Sequence, residues 1–457
     1  MFALVGLIGV DFEKLTGLDK FTIELITFPI FSAFAGVITN WTGVWMLFAP
    51  LHFKGFKCPG AKTIFPFLPR RLQVLPIWAP GPNPNDRTLL GFQGFIPARA
   101  ERMASICVDK GLSRLGSIRD FMRELDPTAI AETFAKHAAP ELRGMVDGVM
   151  MREHPEIWAQ LPGQFREVVY QRVEQRLPEI AQHAMDAIEE HVDDLIDIKL
   201  LAVAKMREHP EILKNIIYDL GANELKLMVK IGFWLGLPMG LLLALAVHFG
   251  HLAPVIGSIP SWLIIIGGAA LIGIIVNIIA IKMVFEPGEP APRWRYLWKQ
   301  AAFAKRQHEA AASFGHSLAY EIITMPNIIN DLLHGPRSDK TRVIIQAAMM
   351  PEVDAVVGPV RGVVRAAVGG AEFQAIRAGT ATTAIDFAPR ILDDIEFTEA
   401  QSQRIDLFCT TKLRELPPEE FMEMLYSAVE QDAWLLYAHG GLLGVLVGLL
   451  HLMIFGA

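Results

Sequence analysis

Two stretches of this chain end a long apolar run with the same pattern. Residues 39–50 read Thr-Asn-Trp-Thr-Gly-Val-Trp-Met-Leu-Phe-Ala-Pro, and residues 276–287 read Val-Asn-Ile-Ile-Ala-Ile-Lys-Met-Val-Phe-Glu-Pro. Asn40, Met46, Phe48 and Pro50 fall on Asn277, Met283, Phe285 and Pro287 at a constant offset of 237. A second pair follows: Gly232, Gly236 and Gly240 recur as Gly440, Gly444 and Gly448, each ladder preceded eight residues upstream by an acid, Glu224 or Asp432. Self-similarity at fixed spacing marks a duplicated unit. Tandem copies built on apolar runs are a common plan for membrane folds.

Four runs reach the roughly 20 residues needed to cross the hydrocarbon of a bilayer: 25–49, 228–249, 261–285 and 434–456. With 52% apolar and 20% charged residues, the chain is too polar to be spans alone, so large water-facing parts are required. The second and third runs are joined by His251-Leu-Ala-Pro-Val-Ile-Gly-Ser-Ile-Pro260, which holds no Lys, Arg, Asp or Glu and suits a tight hairpin. Basic residues set orientation. Lys54, Lys57, Lys62, Arg70, Arg71 and Arg87 follow the first run, Lys226 and Lys230 enter the second, and Lys282, Arg293, Arg295, Lys299, Lys305 and Arg306 lie at and beyond the end of the third. The hairpin and the C-terminal tail have none. Residues 50–226 and 286–432 are therefore expected in the cytoplasm, which makes the two copies parallel rather than inverted.

The expected organisation is an interfacial segment at 1–20, a first copy at 21–250 and a second at 251–457. The fold class is all-α: about four transmembrane helices in two tandem repeats, plus long amphipathic helices. Thr39, Asn40, Thr42 and Pro29 leave a re-entrant or broken first span as an alternative. Residues 51–96 are rich in Pro and Gly and read as an extended loop. In 163–201, Phe165, Val168, Val169, Val173, Leu177, Ile180, Ala184, Ile188, Val192, Leu195 and Ile198 fall three or four apart, one apolar stripe on a long helix or on a pair kinked at Pro178. Met151-Arg-Glu-His-Pro-Glu-Ile157 recurs at Met206–Ile212 and predicts two helix starts, with Pro in the first turn. From Val343 to Leu392 the sequence is dense in Ala, Gly, Val and Ile. It reads as a closely packed helical core or as an apolar groove for an acyl chain.

Chemistry-bearing motifs are not visible. There is no phosphate loop, dinucleotide fingerprint, HExxH or GxSxG. The 13 His are dispersed, and Cys58, Cys107 and Cys409 form no pair motif. The net charge of −7 gives no case for nucleic acid. No catalytic residue, cofactor or metal site is assigned. Asn40, Asn277 and Thr39 are the candidate intramembrane polar contacts, with interhelical hydrogen bonding and ion or substrate coordination as the two readings. Gly232, Gly236, Gly240, Gly440, Gly444 and Gly448 are the candidate packing glycines, facing the Asn-bearing spans or a second copy in a homo-oligomer.

Gly36-Val-Ile-Thr-Asn-Trp41 with Met46-Leu-Phe48 and Pro50 resembles the domain of unknown function 445 family of bacterial and plastid membrane proteins. So do Gly91-Phe-Gln-Gly-Phe-Ile-Pro97 with Arg99, Lys305-Arg306-Gln307 with Glu309, and Leu416-Pro-Pro-Glu-Glu-Phe421 with Asp432 and Trp434. Ala433 and Ala49 depart from the pattern, where an acid and a base are expected. The resemblance implies a multi-pass protein of the bacterial inner membrane and transfers no catalytic residue. The functional expectation is a non-enzymatic membrane protein whose partners are membrane lipids, binding or shuttling hydrophobic molecules or scaffolding the envelope. The alternative is a transporter or channel with a polar path near Asn40 and Asn277.

Overall fold

An apolar run in hydrocarbon must pair its own backbone donors and acceptors, and the α-helix does so within one segment. The computed structural model describes residues 16–73, 75–79, 89–107, 109–110, 115–153, 155–249, 258–290, 298–357, 370–430 and 432–456. Its principal helices, in chain order, are α1 (Lys20–Phe48), α2 (Phe95–Ala98), α3 (Ala100–Cys107), α4 (Pro127–Glu153), α5 (Gly163–Glu190), α6 (Pro210–Phe249), α7 (Ser261–Phe285), α8 (Ala302–Lys305), α9 (Met325–His334), α10 (Ser338–Val357), α11 (Gly370–Phe387), α12 (Ile395–Glu415), α13 (Pro418–Glu430) and α14 (Ala433–Phe455). Helices α1, α6, α7 and α14 are long and apolar enough to cross a membrane.

α1 is one uninterrupted helix of 29 residues with Pro29 inside it, so the chain does not break or re-enter there. It begins five residues before the expected span because Asp19 caps it, accepting from the Thr22 amide at 3.2 Å. α6 runs 40 residues, so the second apolar run is the end of a helix that starts well upstream at Pro210. The other Met-Arg-Glu-His-Pro-Glu copy also starts a helix, at Pro155. The Pro/Gly-rich loop contains a short antiparallel ribbon, β1 (Lys54–Lys57) with β2 (Leu89–Phe92). Gly55 faces Gly91 in it, and a Cβ on Gly91 would strike the Lys54 carbonyl. The interfacial segment expected at 1–20 and the hairpin lie largely outside the described residues, as do residues 358–369 of the small-residue stretch.

The chain forms two compact units, each drawn from both halves of the sequence. One comprises residues 1–107, 206–310 and 416–457; the other comprises 108–205 and 311–415. In the first unit α1 packs antiparallel on α6, α7 packs antiparallel on α14, and α6 lies beside α7. Phe28, Leu243, Ala244, Ile265, Ile272 and Val276 form its apolar core. Outward, α1 exposes Ile26, Ile30, Phe34, Ile38, Trp41 and Trp45 along one stripe. A stripe of that kind is stable against lipid and not against water.

The second unit is helical throughout its described residues. Small side chains on α4 (Ala131, Ala135, Ala138) let it approach α5 closely, around Leu177 and Ala181. α5 continues past Pro178 as one helix. Its predicted stripe is buried at Leu177, Ile180 and Ile188 but open at Phe165 and Val168.

Candidate functional site

The glycine ladders meet the asparagine-bearing helices inside the same chain. An added Cβ at Gly232 would strike the Gly36 carbonyl, and one at Gly440 the Gly273 carbonyl. Gly236 lies against Ser32 and Ala33, and Gly444 against Ala269 and Ala270. Gly240 lies against Phe28 and Pro29, and Gly448 against Ile265 and Ile266. Every residue in the first seam maps onto the second by an offset of 237 for α1 to α7 and 208 for α6 to α14. Only glycine permits backbones this close, and close approach is what drives helix association in lipid.

Asn40 Nδ2 donates to the Met228 carbonyl at 2.6 Å, and Asn277 Nδ2 donates to the Leu436 carbonyl at 2.5 Å. These carbonyls are equivalent at the same offset of 208. The two amides do not bond each other: both Oδ1 atoms are buried without a partner. Thr39 is buried, and its carbonyl accepts from Thr42 Oγ1 at 3.1 Å.

At the ends of these helices the two halves exchange charges. Arg99 pairs with Asp432, and Arg306 Nη1 lies 2.9 Å from Glu224 Oε1. Thus an arginine from each half grips the acid that precedes the other half's glycine ladder. Both arginines terminate a short helix, α2 or α8. The segment before each helix is held identically. The Gly94 amide donates to the Pro50 carbonyl and the Ala301 amide to the Pro287 carbonyl, both at 2.9 Å. Gln93 Nε2 donates to Leu51 and Gln300 Nε2 to Gly288, both at 2.8 Å. Arg99 and its acid are each about one-eighth exposed, and burial lowers the guanidinium from its ordinary range. Arg306 is held up, first by its hydrogen bond to Glu309 and then by Glu224.

The sequence reading missed this set. Gln93-Gly-Phe-Ile-Pro-Ala-Arg99 and Gln300-Ala-Ala-Phe-Ala-Lys-Arg306 share only their end residues. The usable signals were the acid eight residues before each glycine ladder and a Gln and Arg six apart after each motif proline, but nothing in the sequence joined them.

The second unit encloses an apolar chamber of about 120 Å3, open on one side. Ile130 and Phe134 of α4, Ile180 of α5, Ile328 of α9, Ile345 of α10 and Ile385 of α11 show how many helices converge on it. Among the described residues Thr341 is the one polar residue in its lining, and its hydroxyl is spent on the Arg337 carbonyl at 3.4 Å. An apolar cavity of about 150 Å3 can stay dry and take up benzene, so this chamber suits a hydrocarbon group and offers a polar ligand nothing. The small-residue stretch supplies part of the wall, including Met349, Ala384, Ala388 and Ile391.

Near the chamber, burial and the charge of Asp197 raise the Asp331 carboxyl above its ordinary range, while Arg337 opposes the shift. Among the described residues, no three His, Cys, Asp or Glu side chains are placed to hold a metal. No family model, no curated protein and no solved structure matches this chain.

Proposed function

We propose that this chain is a non-enzymatic, multi-pass protein of the bacterial inner membrane that binds lipid or another hydrophobic molecule in the chamber of its second unit. The chamber carries the reading: among the described residues its wall is apolar except for one hydroxyl that is already bonded. A wall of this kind favours an acyl chain or ring over any charged substrate.

The bilayer-facing unit would consist of two tandem copies of one module, and the matching seams and exchanged arginine–acid pairs support that duplication. Lys54, Lys57, Lys62, Lys282, Lys299 and Lys305 cluster at the ends of α1 and α7, which favours that end, with the helical stretches, on the cytoplasmic side. The motif resemblance to the domain of unknown function 445 family agrees with this placement.

Native mass spectrometry of the full chain taken directly from membranes tests the binding. The reading expects apolar adducts that Ala384→Phe, which narrows the chamber, reduces at least severalfold. A chain that carries no apolar adduct and takes up no fluorescent fatty acid would overturn it.

A further inference from the structure

The two copies match in their glycine seams but differ in one respect that packing does not require. Both imidazoles of α14 face α1. His439 Nε2 lies 2.9 Å from Thr42 Oγ1, and His451 Nε2 lies 3.3 Å from Thr27 Oγ1. His451 is 3% exposed, stacks on Phe28 at 4.1 Å, touches Phe31 and Phe455, and leaves Nδ1 buried without a partner. Between the two imidazoles, buried Ser32 and Thr39 of α1 line a void of about 20 Å3 shared with α7 and α14. That volume is enough for about one water molecule.

The same offsets supply an internal control. Thr27, Ser32, Thr39 and Thr42 map onto Ile264, Ala269, Val276 and Ile279, and His439 and His451 map onto Ile231 and Leu243. Each of these six polar residues has an apolar counterpart, and Leu243 and Ile264 pack in the core. Hydrocarbon therefore suffices to hold this contact. Polar and ionisable groups inside a membrane are costly, and they mark proton or substrate paths when they line one interface.

We propose that the α1–α14 seam conducts protons across the bilayer. A proton arriving at His451 Nδ1 gives an imidazolium. The proton on Nε2 then leaves through Thr27 Oγ1 or a water, so one proton enters, one departs, and the ring is neutral again in its other tautomer. Thr39 and water in the adjoining void carry it toward Thr42 and His439, while the Ser32 hydroxyl sits against Gly240 of α6, beside this path. The two histidines lie twelve residues apart on α14, about 18 Å along the axis, which is a large part of the hydrocarbon thickness.

The charged and titratable groups facing the ends are few. At the His451 end, Glu24 is buried one turn before Phe28, 4.0 Å from Lys20 Nζ, and His248 of α6 stacks on Phe21. At the His439 end lie Tyr437 and, on α13, Tyr426, with Glu286 beside both. This path does not use Asn40 or Asn277, whose amide nitrogens are committed to main-chain carbonyls.

The test uses the full chain in vesicles of phosphatidylethanolamine and phosphatidylglycerol loaded with a pH-sensitive dye, with a potassium diffusion potential as driving force. The expected result is proton entry several times faster than in protein-free vesicles. His451→Gln and His439→Gln can still bond the threonines but cannot relay a proton, and each should return the rate to the protein-free level with the thermal unfolding midpoint retained. Thr27→Val provides a second, nearly isosteric arm if His451→Gln does not fold, and it should slow entry too. Leu243→Gln, in the apolar seam, should leave the rate unchanged. Wild-type flux equal to that of protein-free vesicles, or flux that survives both His→Gln variants, overturns the proposal and leaves the histidines as interhelical contacts.

Discussion

Adding one methyl group at Gly440 tests whether backbone contact, rather than general apolarity, joins the long helices. The new Cβ would strike the Gly273 carbonyl and lie 2.6 Å from Asn277 Nδ2, whereas ordinary contact begins at 3.4 Å. The carbonyl is backbone and the Asn277 amide is tied to the Leu436 carbonyl, so α7 and α14 must separate by roughly 1 Å, which weakens every contact along the seam. Overpacking of this kind costs about 1–3 kcal/mol. The separation also strains the Asn277–Leu436 hydrogen bond, worth about 0.6–1.7 kcal/mol in a membrane. Gly440→Ala should therefore destabilise the protein by about 2–4 kcal/mol. Gly232→Ala should cost about as much, because its Cβ would strike the Gly36 carbonyl at least as hard, although Asn40 Nδ2 would be 3.0 Å away.

Gly267→Ala is the control. It lies on α7 with nothing within 4 Å of the new atom, so its effect should stay within about 1 kcal/mol, neutral or stabilising. Reversible unfolding in mixed micelles, driven by increasing detergent denaturant and followed by helical circular dichroism, measures all three. If Gly440→Ala and Gly267→Ala shift the midpoint equally, the close-contact reasoning is wrong.

Asn40→Leu and Asn277→Leu should each cost only about 0.6–1.7 kcal/mol in the same assay, since each removes one hydrogen bond and also one unpartnered oxygen. Arg99→Gln should cost more, about 3 kcal/mol, because it strands a largely buried Asp432. Asp331 has a raised carboxyl, so its protonated form is favoured in the fold. Its contribution is fully present below the ordinary aspartate range and is lost as pH rises through the raised value. Asp331→Asn should therefore raise the unfolding midpoint at pH 7 and leave it nearly unchanged at pH 3. Cys409 is fully buried, and burial pushes its thiol up to about 12, so it should resist maleimide in the folded chain while half-buried Cys58 reacts.

The long helices were legible in the sequence because their apolar runs exceed anything a soluble core needs. The glycine ladders were legible because a four-residue spacing puts small residues on one helix face. The continuity of α1 was not: Pro29 signals a break, yet the helix runs on through it, with Gly240 of α6 packed against the Pro29 Cα. The arginine–acid exchange was hidden because it joins residues 82 and 333 positions apart through motifs with two identities. The chamber was legible only in part. The 343–392 stretch supplies one wall, but Ile130, Phe134, Ile180 and Ile328 sit at ordinary helical spacing and look like any core residue. Which apolar residues leave a space between them depends on how the helices meet, and a hydrophobic period does not encode that.

The account turns most directly on which side of the membrane the two helical stretches occupy. Single cysteines at Glu174, Glu396 and Ser258, all exposed, can be placed in a chain whose own cysteines have been replaced, and probed with a membrane-impermeant maleimide. In intact spheroplasts the account predicts labelling at 258 alone, with 174 and 396 reacting together only after permeabilisation. Labelling of 174 and 396 from opposite sides would contradict parallel copies and the placement built on them.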